Sequence, residues 1–112
     1  MKTFLSIIIL VALQMTISHA QKIYVEGNRA FADVKVYVVN NQAFADLLVY
    51  VVNNQAFAGK NDGKWFFVSN RAFADKKIYY EENQAFADLK IYFVNNQAFA
   101  GWKNREKQYL LE

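Results

Sequence analysis

Between residues 32 and 39 the chain alternates strictly. Ala32, Val34, Val36 and Val38 fall on one face, and Asp33, Lys35, Tyr37 and Val39 on the other. A period of two, rich in β-branched and aromatic residues, predicts a strand. The same frame fits 45–52, 74–81 and 87–94, and no helical spacing fits any of these segments. Asn40-Asn41, Asn53-Asn54 and Asn95-Asn96 end the strands, with Gly27-Asn28, Ser69-Asn70 and Glu82-Asn83 in the equivalent places. Asparagine tolerates left-handed backbone angles and closes local turns with its side-chain amide, so these positions are predicted turns. With about nine extended and about four turn residues per unit, six strands follow.

The units are copies of one another. Ala-Phe-Ala occurs at 30–32, 43–45, 56–58, 72–74, 85–87 and 98–100, in steps of 13, 13, 16, 13 and 13 residues. Four copies are followed by Asp33, Asp46, Asp75 and Asp88, and two by Gly59 and Gly101. The preceding residue runs Arg29, Gln42, Gln55, then Arg71, Gln84, Gln97, so residues 23–59 match 65–101 at an offset of 42. This predicts a single all-β repeat domain over 21–102, built as two pseudo-two-fold halves of three units. Residues 60–64 form the linker, where Asp62-Gly63 is a strong tight-turn pair. The tail, 103–112, is charged; Tyr109, Leu110 and Leu111 either dock or fray with it.

Ahead of the repeats, Lys2 is followed by a nearly unbroken apolar run from Phe4 to Ile17, and then by Ser18-His19-Ala20. This is the pattern of a cleaved signal peptide, 1–20, and the run is short for a bilayer span of ~20 residues. The expectation is an exported chain, periplasmic or extracellular, with no membrane span after cleavage. Loss of Lys2 leaves 12 basic residues of 13 against 10 acids, a formal charge of +2. The only His, both Met and both Thr lie in the leader, and the chain has no Cys or Pro.

That composition narrows the chemistry. Residues 21–112 offer no imidazole or thiolate for a transition metal and no base for a Ser-His or Cys-His nucleophile. No disulfide is available to a domain small enough to be marginal on core burial alone. Acids interleave with bases, so no concentrated positive stripe exists for nucleic acid. No cofactor is expected.

The repeated Ala-Asp-x-x-[Ile/Val]-Tyr-x-Val resembles the septoil-knot domain proteins, small bacterial β-repeat proteins. It stands here as Ala45-Asp46-Leu47-Leu48-Val49-Tyr50-Val51-Val52, with Lys60–Val68 at the centre and Ala100-Gly101-Trp102 at the end. The resemblance covers residues 23–102 and implies an interleaved β fold whose chain is tied as a seven-crossing torus knot. It implies no known activity. This chain writes Asn-Gln-Ala-Phe where the family has Tyr-rich turns. A closed, interleaved sheet would leave few strand edges open to aggregation.

Three sets of residues are candidates for function. Asp33, Asp46, Asp75 and Asp88 read either as carboxylates for Ca²⁺ or hydrolysis, or as strand starts pairing with a lysine. Their equivalence favours structure, because acid–base catalysis needs unlike environments. Tyr24, Tyr37, Tyr50, Tyr79 and Tyr92, with Phe66 in the fourth unit, form a ladder that is a binding platform if exposed and core if not. The Asn-Asn-Gln turns are either polar ligand loops or turn chemistry alone, and Asn/Gln beside strands is also a self-association signature. Trp65 and Trp102 are expected to cap the ends of the core. Arg29 and Arg71 read as a surface salt bridge or a shared anion site. The expectation is a non-catalytic module that recognises a protein or glycan through its tyrosine face. A self-associating envelope protein is the first alternative, and an Asp-based hydrolase or Ca²⁺ binder the second.

Overall fold

The computed structural model describes residues 21–57 and 60–112; the expected signal peptide and Gly59 lie outside the described residues. The chain is nearly all β. Six strands arise from the six units: β1 Gln21–Val25, β2 Val34–Val38, β3 Leu47–Val51, β4 Lys64–Phe67, β5 Lys76–Tyr80 and β6 Leu89–Phe93. A short seventh, β7 Gly101–Trp102, stands where a further unit would begin. β4 starts within the expected linker, where Asn61 (φ 56°) and Gly63 (φ 89°) turn the chain into it.

The strands lie in the order β4-β1-β5-β2-β6-β3-β7, and β3 also pairs with β4, which closes the sheet into a barrel. The first six are mutually parallel, whereas β7 runs antiparallel along the start of β3. Around the closed ring of six, successive strands advance two places within each half, β1 to β2 to β3 and β4 to β5 to β6, whereas β3 and β4 are neighbours. Strands of the second half therefore fill the gaps left by the first. The duplication is expressed as a shift of one place about a common axis: β1 adjoins β4, β2 adjoins β5 and β3 adjoins β6. Two halves facing each other across an axis in the sheet would have produced antiparallel neighbours; these are parallel.

Parallel neighbours force each connection back along the outside of the barrel. Within each half a connection passes over the strand that separates its own two, as the turn Gln42–Phe44 lies against β6; likewise Gln97–Phe99 lies against β3 on the way from β6 to β7. Every connection contains a 3-10 turn made by Gln/Arg-Ala-Phe. The preceding asparagine caps it, with Oδ1 of Asn28, Asn41, Asn54, Asn70, Asn83 and Asn96 each accepting from the N–H two residues on at 2.9 Å. These are turns, as expected, closed by the side-chain amide. The backbone differs from expectation: Asn28 and Asn41 are extended (φ −123° and −135°), not left-handed, as befits an N-cap.

Alternate residues fill the interior. Ile23, Val34, Val36, Leu47, Val49, Trp65, Ile78, Leu89 and Ile91 are wholly or almost wholly buried, each contributing about 1.5–3 kcal/mol. At the C-terminal mouth the aromatic ends of β4, β5 and β6 (Phe67, Tyr80, Phe93) pack against this core. Val25, Val38 and Val51, the ends of the other three strands, stand at the same mouth and are exposed. Val38 therefore leaves the core although it shares the face of Val34 and Val36. Val39 and Val52, on the opposite face of the alternation, are buried beneath the crossing connections. An outer layer of chain gives the barrel a second buried face that strand alternation does not anticipate.

The tail docks. Residues 105–111 form a 3-10 helix that sends Leu111 into the core, 1% exposed, with Leu110 packed beside it. Gln21 at the start of β1 donates to the Leu111 carbonyl at 3.1 Å, so the tail closes the N-terminal mouth. Trp65 lies inside the core instead of capping it, edge-on to Phe67. Trp102 is half-buried and anchors its indole N–H on the Asn61 carbonyl at 3.0 Å. Among the described residues no helix is long and apolar enough to cross a membrane.

Candidate functional site

Each of the four aspartates is an extension of the sheet. Asp33 donates its N–H to the Lys77 carbonyl and accepts the Lys77 N–H on Oδ2, at 2.7 and 2.8 Å. Asp46 does the same with Lys90, Asp75 with Lys22, and Asp88 with Lys35. Every pair joins one half to the other. The lysine contributes its backbone to this exchange, which a carboxylate serves in place of a strand carbonyl. Two departures from the repeat meet each other: Leu48, which stands where other copies have lysine, is in register with Gly101, one of the two copies without aspartate. Asp46 also accepts from Asn104 and Lys107 of the tail. Among the described residues no cluster of His, Cys, Asp or Glu has the makings of a metal site.

Arg29 and Arg71 do not meet. Each forks onto a buried glutamate of the opposite half, Arg29 on Glu81 and Arg71 on Glu26, with contacts of 2.8–2.9 Å. The reason lies in the crossings. Arg29 passes over the end of β5 and Arg71 over the end of β1, where Glu81 and Glu26 replace the valines Val39 and Val52 of other units. Where the underlying residue is valine, the crossing residue is glutamine.

The tyrosines Tyr24, Tyr37, Tyr50, Tyr79 and Tyr92 all point outward from the barrel and are half-buried beneath the connections. The fully presented aromatics are others. Phe31, Phe44, Phe57, Phe73, Phe86 and Phe99, one from each Ala-Phe-Ala, are 56–65% exposed. The strand-based reading passed over them because they fall in the turns, outside the period-two frame. The signal was present: an aromatic at one fixed place in all six turns, flanked only by alanine, has no core to enter.

Arginine and glutamine divide these phenylalanines into two kinds. The Arg71 guanidinium lies over both Phe31 and Tyr24, 5.6 and 5.8 Å from the ring centres, and Arg29 lies 5.5 Å from that of Phe86. Thirteen residues on from Tyr24, Phe31 and Arg71 stand Tyr37, Phe44 and Gln84, and thirteen further Tyr50, Phe57 and Gln97. There the surface opens into clefts of about 380 Å³ and about 160 Å³, lined respectively by Tyr37, Asn40, Phe44 and Gln84 and by Tyr50, Asn53, Phe57 and Gln97. A third cleft, about 490 Å³, lies at the N-terminal mouth between Lys60, Lys76, Asp75 and Glu112, charges of both signs.

Residues 19–103 match the profile of a family described as the 7(1) septoil knot domain. No curated protein matches the chain.

Proposed function

The chain belongs to the septoil knot domain family, and on that premise we propose that it is an exported, non-catalytic binding module, its path the seven-crossing torus knot of the family. The interleaving of the two halves, with an advance of two places from strand to strand within each, supports that path. The module recognises a protein or glycan through exposed aromatic side chains, and the phenylalanines of the turns carry this role in place of the tyrosine ladder. One observation carries the reading: six phenylalanines, on six equivalent turns, each leave more than half of their surface in water. Six copies of one exposed ring, each held by an Asn cap, form a rigid and repeated apolar surface of the kind that marks an interaction site. The aspartates, by contrast, are engaged in joining strands.

The test is binding of the purified protein to arrays of envelope proteins and glycans, beside a variant with all six phenylalanines changed to alanine. The six side chains lie outside the core, so the variant keeps the far-UV spectrum of the parent. Hits lost in the variant support the reading. Hits that survive, or their absence from the parent together with self-association in sedimentation, overturn it in favour of a structural role.

A further inference from the structure

Resting on that reading, the clefts beside Phe44 and Phe57 narrow down what is bound. The protein supplies its own comparison, because two equivalent places are already filled. Over Phe31 and Phe86 the flat guanidiniums of Arg71 and Arg29 occupy the ring face, each held by a buried carboxylate, Glu26 or Glu81. At Phe44 and Phe57 the shorter, neutral Gln84 and Gln97 leave that space open. The carboxylate is gone as well, replaced by the buried Val39 and Val52. A cation arriving there would stack on the ring but find no anion beneath it. The lining shared by the two clefts is uncharged; Lys90 borders only the first.

We infer that the clefts at Phe44 and Phe57 are two copies of one site for a neutral sugar ring, so that the protein binds a neutral oligosaccharide. A pyranose has a flat face of C–H groups that packs on an aromatic ring and an edge of hydroxyls that both donate and accept. The clefts present both complements: the exposed phenylalanine with its neighbouring tyrosine, and a pair of side-chain amides, Asn40 with Gln84 or Asn53 with Gln97. The two copies lie on β2 and β3, two places apart around the barrel with β6 between them. A chain ligand able to reach both gains avidity over a single ring.

The experiment is calorimetric titration with cellotetraose, chitotetraose and maltotetraose as neutral probes, and with triarginine as the cationic one. Two double variants are compared with the parent: F44A with F57A, which removes the platforms, and Q84R with Q97R, which fills the clefts as Arg71 and Arg29 fill theirs. F73A is the control, an equally exposed ring outside both clefts. The expected result is binding of at least one tetrasaccharide, weakened more than about tenfold by F44A/F57A, weakened also by Q84R/Q97R, and unchanged by F73A. Because Phe44 and Phe57 are exposed, their double variant is decisive even if the arginine variant fails to fold. The inference is overturned if no tetrasaccharide binds, if binding survives F44A/F57A, or if triarginine alone binds the clefts. An array partner lost in the six-phenylalanine variant but retained by F44A/F57A would sink the sugar site while leaving the wider aromatic surface intact.

Discussion

Arg71 reaches Glu26 through both sides of its guanidinium: Nε lies 2.8 Å from Oε2, and Nη2 donates to Oε1 at 2.9 Å. The carboxylate is buried and the guanidinium half-exposed, and they come from opposite halves of the duplication. Arg29 and Glu81 repeat the contact with the halves exchanged. The two pairs thereby fix which connection crosses which strand.

Removing one partner is expected to cost more than removing both. Arg71→Gln leaves Glu26 charged beneath a connection and should lose about 3 kcal/mol, the lower end for a broken buried pair because the arginine is half in water. Arg71→Gln combined with Glu26→Val reproduces the Gln84–Val39 arrangement already present and should lie within about 1 kcal/mol of the parent. Urea denaturation midpoints of the two singles and the double decide the matter; a double as weak as Arg71→Gln would refute it.

The aspartates should differ in weight although their sequence context is the same. Asp88→Ala orphans only the Lys35 N–H at an exposed strand end and should cost about 1 kcal/mol. Asp46→Ala also releases Asn104 and Lys107 from a buried carboxylate, and should cost about 2–3 kcal/mol. Thermal melts that rank Asp88 above Asp46 would contradict this account of the tail.

Closure at the N-terminal mouth depends on small, specific fits. Leu111→Ala empties a wholly buried place and should cost about 2–5 kcal/mol. Gly63→Ala should be at least as damaging as a typical overpacking change, about 1–3 kcal/mol. A methyl there collides with the Leu48 carbonyl and the Gly101 backbone, at a φ of 89° that alanine resists. Hydrogen exchange in β3, β4 and β7 should rise in both variants before it rises in β2 or β5.

Burial at the C-terminal mouth raises the Tyr80 phenol above its ordinary value of 10.0. In the folded protein Tyr80 holds its proton to higher pH than in the unfolded chain. Its contribution is therefore intact below pH 10.0 and is lost as pH rises through the folded value. Tyr80→Phe cannot ionise, so its stability relative to the parent should improve above that pH and be flat below it. Parallel pH series of urea midpoints would show a constant difference if the account is wrong.

The local structure was written in the sequence, because each unit carries its own instructions. Alternation in Val34-Lys35-Val36-Tyr37 specifies a strand, Asn41 specifies the cap of a turn, and sixfold repetition leaves little room for error. The duplication and the resemblance to a knotted β family followed from the same letters. What the sequence did not disclose was the order of strands, because nothing within a 13-residue unit says which other unit will lie beside it. That was settled by long-range pairing: Asp33 with Lys77, Arg29 with Glu81, Leu48 with Gly101. Once strands of the two halves alternate in parallel, the connections must run over the outside. This buries Val39 and Glu26, half-covers the tyrosines and turns Phe44 and its five counterparts out into water. The turn phenylalanines are more exposed than the strand tyrosines for that reason: period-two alternation separates one face of a strand from the other, but only the tertiary path decides which face another part of the chain will cover.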